Sequence, residues 1–170
     1  FGLCSLGVAV DTTKAAVENA KLVIAQVNPN MPVTFGDSLI PVEDIDLLVE
    51  KDTPLLEVNP PNVDAVSLTI GRHVASLISD GMTLHFDRGP ISAAAMRYLD
   101  SKKNLGVHTD FLTDDIMRLI KTRAVTNRSK KINKGKTVAT MVIGSKELYD
   151  EVDGNPYIEL LPIEQVANPF

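Results

Sequence analysis

Three consecutive polar residues, His108, Thr109 and Asp110, are the side chains of this sequence best suited to chemistry. They follow the apolar residues 105–107 (Leu-Gly-Val), which are typical of the end of a buried strand. An apolar stripe at helical spacing begins at Leu112, so the polar residues are predicted to lie at a strand-to-helix junction. Ligands of open α/β sheets bind at the carboxyl ends of strands, where the Asp110 carboxylate is a candidate nucleophile or base.

A purely structural interpretation of the same residues stays open. Aspartate is a favoured helix N-cap because its carboxylate accepts a backbone N–H of the first turn. Asp110, Thr113 and Asp114 all stand where they could cap the predicted helix. Spacing alone favours capping, since helix caps far outnumber catalytic carboxylates.

A basic segment follows, in which seven Lys and Arg residues occur without an intervening acid. Its members are Lys121, Arg123, Arg128, Lys130, Lys131, Lys134 and Lys136. The simpler interpretation is a solvated face. The functional interpretation is a binding site for a polyanionic ligand or an acidic partner, in which Lys130 and Lys131 would take part.

The elements that must position these residues alternate between strand and helix, which favours an α/β fold with a mainly parallel open sheet flanked by helices. Helices are predicted after the caps Asp11, Asp64, Ser92 and Ser145. Strands are predicted at 22–27, 44–49, 83–86, 137–143 and 157–161, and the run at 22–27 is expected to be buried. The helix after Asp64 is expected to bury Val66, Ile70, Val74, Leu77 and Ile78.

Composition limits the possible partners and compartment. The 170 residues carry a net charge of −5, and no apolar run is long enough to cross a membrane, so neither nucleic acid nor a membrane is expected as a partner. Cys4 is the only cysteine, which predicts a reducing compartment such as the cytoplasm. The histidines and the cysteine lack zinc-site spacing, so no metal is expected. The chain begins at Phe1 without an initiator Met, and we expect an internal fragment of a longer protein.

Several short segments, taken in order, are similar to the acetyl-CoA hydrolase/transferase family of CoA-transferases, which includes 4-hydroxybutyrate and succinate–acetate enzymes. They include residues 25–28 (Ala-Gln-Val-Asn), 36–38 (Gly-Asp-Ser), 80–84 (Asp-Gly-Met-Thr-Leu), 105–109 (Leu-Gly-Val-His-Thr), 125–127 (Val-Thr-Asn) and 155–156 (Asn-Pro). The resemblance implies the end of an N-terminal CoA-transferase domain at 1–57 and the first part of a C-terminal domain at 64–170. The Pro-Pro-Asn segment within residues 58–63 is the predicted linker.

The resemblance also implies a chemistry. In that family a glutamate after the Gly-Val-His-Thr motif attacks an acyl-CoA thioester, and coenzyme A is a substrate rather than a resident cofactor. Asp110 stands at that position here, one methylene shorter, which moves the carboxylate by about 1 Å and can cost ~10²-fold in rate. His108 and Thr109 would orient this carboxylate.

A second departure lies in the loop Asp87-Arg88-Gly89-Pro90-Ile91, where the family has a glycine-richer segment lining the coenzyme A site. Only Gly89 and Ile91 match that segment. The Arg88 guanidinium suits a phosphate or a substrate carboxylate, and Asp87 at a glycine position is unexplained.

The resemblance therefore predicts an acyl-CoA:carboxylate CoA-transferase or an acyl-CoA hydrolase. The full-length enzyme is expected to act through Asp110 and to form a homo-oligomer. The fragment alone is expected to be inactive. The alternative is a non-catalytic acyl-CoA-binding or regulatory module, which the departures at Asp110 and Asp87 favour.

Overall fold

Parallel pairing of short strands dominates the computed structural model, which describes residues 2–167. Its strands are β1 (Leu3–Ser5), β2 (Ile24–Val27), β3 (Phe35–Gly36), β4 (Leu39–Pro41), β5 (Leu47–Glu50), β6 (Thr83–Leu84), β7 (Gly106–Val107), β8 (Phe111–Leu112), β9 (Thr137–Ala139), β10 (Met141–Val142) and β11 (Ile158–Leu160). Its helices are α1 (Thr13–Asn19), α2 (Ala65–Leu77), α3 (Pro90–Met96), α4 (Asp114–Lys121), α5 (Lys146–Val152) and α6 (Ile163–Val166), with a 3₁₀ turn at Val42–Asp44. The predicted α/β class is confirmed.

One series of parallel neighbours carries the residues of interest. β6 pairs with β7, a single bridge between His108 and Val138 joins β7 to β9, and β9 continues through β11 to β3. β8 and β10 form a further parallel pair, and β2 pairs in parallel with β5. Of the strand pairs in residues 2–167, only that of β1 with β4 is antiparallel. Because parallel strands end at the same edge, residues that follow β6 and β7 lie side by side.

The hydrophobic core lies between this series of strands and the helices. Val107 in β7, the preceding Leu105, and Ile116 and Leu119 on α4 are fully buried, as their apolar spacing predicts. Further fully buried side chains are Val10, Leu99, Leu112, Val138, Ala139 and Leu160. The strand that precedes Asp110 is therefore fixed by packing in the core.

Helix α2 packs differently from the prediction. The Asp64 cap is confirmed, since its Oδ1 accepts the Ser67 N–H at 2.7 Å. The apolar stripe does not enter the core, because α2 contacts α3 through small residues; a Cβ on Gly71 would lie 2.6 Å from Ala94 Cβ. Four of the five predicted inner side chains are instead exposed, with Val66 at 65% and Leu77 at 78%, whereas Ile78 is partly buried against the core. Close approach of two helix backbones excludes large side chains from the contact.

Three other local predictions are wrong. Asp11 does not cap α1, because Thr12 holds the N-cap position and Asp11 has a positive φ of 28°. Ser92 does not cap α3, since Gly89 holds that position and Pro90 begins the helix, where its missing N–H costs nothing. The run at 22–27 is not buried: Ile24 is 59% exposed, because β2 and β5 form an uncovered two-stranded pair.

Residues 51–64 have no regular secondary structure, as expected for a segment with three prolines. None of the helices within residues 2–167 has the length and apolarity needed to cross a bilayer.

We expect Ser145→Ala to lower the free energy of unfolding by about 1–2 kcal/mol, because Ser145 has two roles. Its Oγ accepts the Leu148 N–H at 3.3 Å as the N-cap of α5, and it donates to Asp114 Oδ1 at 2.6 Å. Urea denaturation would measure the loss. Ser76→Ala on the exposed side of α2 is the control, and an equal change in both variants would contradict the cap assignment.

Candidate functional site

Asp110 lies between β7 and β8 rather than at a strand-to-helix junction. The chain stays extended through Phe111–Leu112 so that β8 can pair with β10, and the backbone carbonyl of Asp110 accepts the N–H groups of Thr140 and Met141 at 3.1 and 3.0 Å. Helix α4 begins after Thr113, which makes no side-chain cap bond. The capping interpretation of Asp110 is therefore wrong, and its carboxylate is not used to begin a helix.

Thr109 fixes the ends of β6 and β7 to each other. Its side chain is fully buried, its Oγ1 donates to the Phe86 carbonyl at 2.7 Å, and it accepts the Phe86 N–H at 3.0 Å. A hydroxyl with both of these bonds is committed to the backbone. Thr109 therefore joins the segments that follow β6 and β7, directly before Asp110.

His85 is the neighbour of Asp110 that sequence reasoning missed. Its Nε2 lies 3.5 Å from Asp110 Oδ2, with the two side chains about one half and one third exposed. His85 follows β6 and Asp110 follows β7, so the parallel register brings them to one edge. The only sequence signal was a histidine directly after an apolar strand, which by itself does not identify its partner.

His108 lies in the same group of side chains. Its Nε2 is 3.2 Å from the carbonyl of Val166, so Nε2 carries the proton of the neutral ring and Nδ1 is left as an acceptor. Burial lowers the pKa of His108, and the charges of Lys130 and His85 lower it further, while the Val166 carbonyl and Asp110 act in the opposite direction. Burial and the neighbouring positive charges thus favour the neutral form of His108.

Two acceptors of this group have no hydrogen-bond partner among residues 2–167. They are His108 Nδ1 and Asp110 Oδ1, and both atoms are buried. Buried acceptors are normally paired, so a donor from solvent or substrate would be stabilised here. The described residues contain no cluster of His, Cys, Asp or Glu side chains able to hold a metal ion.

Asn127 and Lys130 supply the hydrogen bonds of Val107 in β7, at a position where β9 does not pair with it. The Val107 N–H donates to Asn127 Oδ1 at 2.9 Å, and Lys130 Nζ donates to the Val107 carbonyl at 2.8 Å. The other donors of these side chains reach the start of β9, at Thr137 Oγ1 and the Lys136 carbonyl, both at 2.8 Å. Two side chains therefore take the place of a strand partner directly before the site.

The basic segment is not one surface. Lys130 is only 3% exposed, Lys121 pairs with Glu147 and Glu151, and Lys136 pairs with Glu159. Three of the seven cations are thus committed to contacts within the chain. The interpretation of Lys130 as part of a binding site for an anion or an acidic partner is wrong, because its ammonium group is buried against the Val107 carbonyl of β7.

Lys130 predicts a stability effect at alkaline pH. Burial lowers the pKa of Lys130 to about 8, below its unfolded value near 10.5. The folded state therefore binds fewer protons between these values, so the free energy of unfolding should rise with pH through this window relative to Lys130→Met. Between pH 7 and 10 we expect the free energy of unfolding to rise by about 2 kcal/mol relative to that of Lys130→Met, measured by urea denaturation. A pH-independent difference between the two proteins would contradict it.

The loop 87–91 lies at the same sheet edge as Asp110, but it is closed on one side. Asp87 Oδ1 accepts the Arg88 N–H at 2.6 Å, and the loop faces residues 58–61 across a cavity of about 30 Å³, room for a single water. Asp114 and Asp115 also line this cavity, and burial raises the pKa of Asp115. The carboxylates disfavour an anion in this cavity, which Arg88 also lines, and Arg88, Pro90 and Ile91 are exposed to solvent.

Residues 1–60 match the family model of the acetyl-CoA hydrolase/transferase N-terminal domain. The whole chain is 48% identical to part of the 4-hydroxybutyrate coenzyme A transferase of Clostridium kluyveri, of which it covers 40%. Another relative is the succinyl-CoA:acetate/propanoyl-CoA:succinate CoA transferase of Fasciola hepatica, 37% identical over 99% of this chain and 35% of that protein. The chain thus spans well under half the length of these curated relatives.

Solved structures agree with the sequence relatives. The 4-hydroxybutyrate CoA-transferase of Porphyromonas gingivalis has a TM-score of 0.95 at 42% identity, over 99% of this chain and 43% of that one. RipA of Yersinia pestis has a TM-score of 0.94 at 30% identity, over 99% of this chain and 39% of that one. The resemblance inferred from the ordered motifs is confirmed by both comparisons.

Proposed function

We propose that the protein containing this chain processes acyl-CoA thioesters through the carboxylate of Asp110, because residues 1–60 match the acetyl-CoA hydrolase/transferase N-terminal domain and the whole chain is similar to part of CoA-transferases. The reaction is transfer of coenzyme A to a carboxylate or hydrolysis of the thioester. The observation that carries this proposal is the placement of Asp110 at the carboxyl ends of β6 and β7, partly exposed and beside His85. The names of the relatives as CoA-transferases support it.

The chemistry that suits this carboxylate is nucleophilic. A carboxylate oxygen attacks the thioester carbonyl, the carbon–sulfur bond breaks, and a mixed anhydride and a coenzyme A thiolate form. In transfer the thiolate attacks the Asp110 carbonyl and releases the acyl group as a carboxylate, and a second carboxylate then takes up the coenzyme A by the reverse steps. In hydrolysis water takes the place of the thiolate, or attacks directly with Asp110 as general base.

The remaining residues have supporting parts in this proposal. His108 and Thr109 orient Asp110, the first from beside it and the second by joining the strand ends. The loop 87–91 lines the coenzyme A site with its open side, where the exposed Arg88 guanidinium suits a phosphate or carboxylate. Coenzyme A enters as a substrate and not as a resident group.

The organisation of the whole protein is part of the proposal. Residues 1–57 end an N-terminal domain, 58–63 link it, and 64–170 begin a C-terminal domain, as the irregular segment 51–64 supports. We propose that the protein forms a homo-oligomer. We also place it in the cytoplasm, because Cys4 is the only cysteine of this sequence.

An assay on the full-length protein tests this function. The protein is incubated with acetyl-CoA, with and without a carboxylate acceptor, while free coenzyme A and new acyl-CoA are followed together. New acyl-CoA that requires the acceptor supports transfer, and free coenzyme A without acceptor supports hydrolysis. Saturable acyl-CoA binding without either product would overturn the proposed enzyme activity and favour the alternative, a non-catalytic acyl-CoA-binding module.

A further inference from the structure

We infer that His85 is a second catalytic residue, which protonates the departing sulfur and so directs the Asp110 intermediate toward water rather than back to coenzyme A. The inference rests on the proposed function, because it assumes that Asp110 is the group that is acylated. It assigns the choice between hydrolysis and transfer to one side chain.

The first support is the position of His85 on the sheet. β6 and β7 run in parallel with Leu84 opposite Val107, and the His108 N–H donates to the Leu84 carbonyl at 3.0 Å. Continuing this register places His85 beside His108, and residues two apart in an extended chain share a face. His85, His108 and Asp110 therefore meet on one face of the sheet edge, beyond the last residues paired between β6 and β7.

The second support is the contact between His85 and Asp110. The Nε2–Oδ2 distance of 3.5 Å is an ion-pair distance, and His85 is about half exposed, so a substrate can reach both groups. Within residues 2–167, no lysine or arginine forms an ion pair with Asp110. The imidazole is thus the described group best placed to respond when the charge of Asp110 changes.

The chemistry follows from that change of charge. When the Asp110 carboxylate bonds to the acyl carbon, its negative charge passes to the departing sulfur. The imidazolium of His85 loses its counter-ion and gives its Nε2 proton to the thiolate, which leaves as a thiol. A thiol is a poor nucleophile compared with a thiolate, so return of coenzyme A to the anhydride is suppressed.

Neutral His85 then acts as a base. It removes a proton from a water whose oxygen bonds to the anhydride carbon, the carbon–oxygen bond to Asp110 breaks, and the carboxylate and the imidazolium are restored. The sum is thioester plus water giving carboxylic acid plus thiol, with no other reactant. His108 is not assigned the proton donation to sulfur, since burial lowers its pKa and its Nε2 is directed to the Val166 carbonyl.

The test compares His85→Gln with His73→Gln in the full-length protein. Glutamine keeps a hydrogen-bond donor but transfers no proton, and His73 is an exposed histidine on α2, away from the site. Hydrolysis of acetyl-CoA should fall in His85→Gln by about 10²-fold, the usual contribution of a general acid–base group. Transfer to a carboxylate acceptor should persist, so the ratio of hydrolysis to transfer falls, and His73→Gln should match the wild type.

Other outcomes overturn the inference. Unchanged hydrolysis in His85→Gln, an equal loss of hydrolysis and transfer, or a wild type that only transfers would each exclude a proton-transfer role. In these cases the proposed function survives if the wild type and His85→Gln each lose activity when Asp110 is also replaced. Turnover that does not depend on Asp110 would overturn the proposed nucleophile, and the inference with it.

Discussion

Replacing Asp110 with asparagine is expected to reduce both hydrolysis and transfer of acyl-CoA by at least about a thousandfold, as loss of a covalent nucleophile does in other enzymes. The amide keeps the shape of the side chain but is too weak a nucleophile to attack a thioester, so no anhydride can form. Folding should be unaffected, since the Asp110 carboxylate caps no helix and its Oδ1 has no partner among residues 2–167. Steady-state assays with acetyl-CoA would measure the loss.

Two further variants sharpen this result. Asp100→Asn removes an exposed carboxylate that pairs with Arg118, and it should leave turnover unchanged. Asp110→Glu keeps a carboxylate and moves it by about 1 Å, a displacement that can alter rates by ~10²-fold in either direction. Activity in Asp110→Asn within tenfold of the wild type, roughly 1.4 kcal/mol in barrier height, would exclude Asp110 as the nucleophile.

The second large effect is a coupled loss of stability at Gly106 and Lys130. A Cβ on Gly106 would lie 2.6 Å from Lys130 Cγ and 2.9 Å from Thr83 Oγ1, so Gly106→Ala should cost about 1–3 kcal/mol. Lys130→Ala should cost about 2–4 kcal/mol, because it leaves a cavity and an unpaired Val107 carbonyl. The double variant should cost at least about 1 kcal/mol less than the sum, since truncation of Lys130 removes its clash with the new methyl group.

Urea denaturation of the four proteins measures this coupling. Lys131 is exposed beside Lys130, and Lys131→Ala combined with Gly106→Ala should be additive. Additivity in the Gly106/Lys130 pair would mean that the lysine stem does not occupy the space beside Gly106.

The sequence predicted the features that depend on neighbouring residues along the chain. The caps at Asp64 and Ser145 were correct because a cap joins a side chain to an N–H three residues ahead. The buried residues of α4 and β7 were found because apolar spacing reports the face that each element presents to the core.

The same local patterns misled where packing decided the outcome. The apolar stripe of α2 indicated a buried face, but the contact with α3 is made by small residues such as Gly71. The helical spacing after Asp110 favoured a cap, but pairing of β8 with β10 keeps that segment extended. Each error arose because a partner distant in sequence changed the environment of a correctly recognised pattern.

The sequence by itself thus determined the α/β class, the resemblance to CoA-transferases and the choice of Asp110 as the candidate carboxylate, because ordered motifs and periodicity are properties of the chain. Only the tertiary structure decided that His85 lies next to Asp110 and that Lys130 and Asn127 bond to Val107 in β7. It also decided that the Asp110 carboxylate does not cap a helix. Such contacts join residues about 20 or more positions apart, and their distances are fixed by strand register and core packing, which no local spacing encodes.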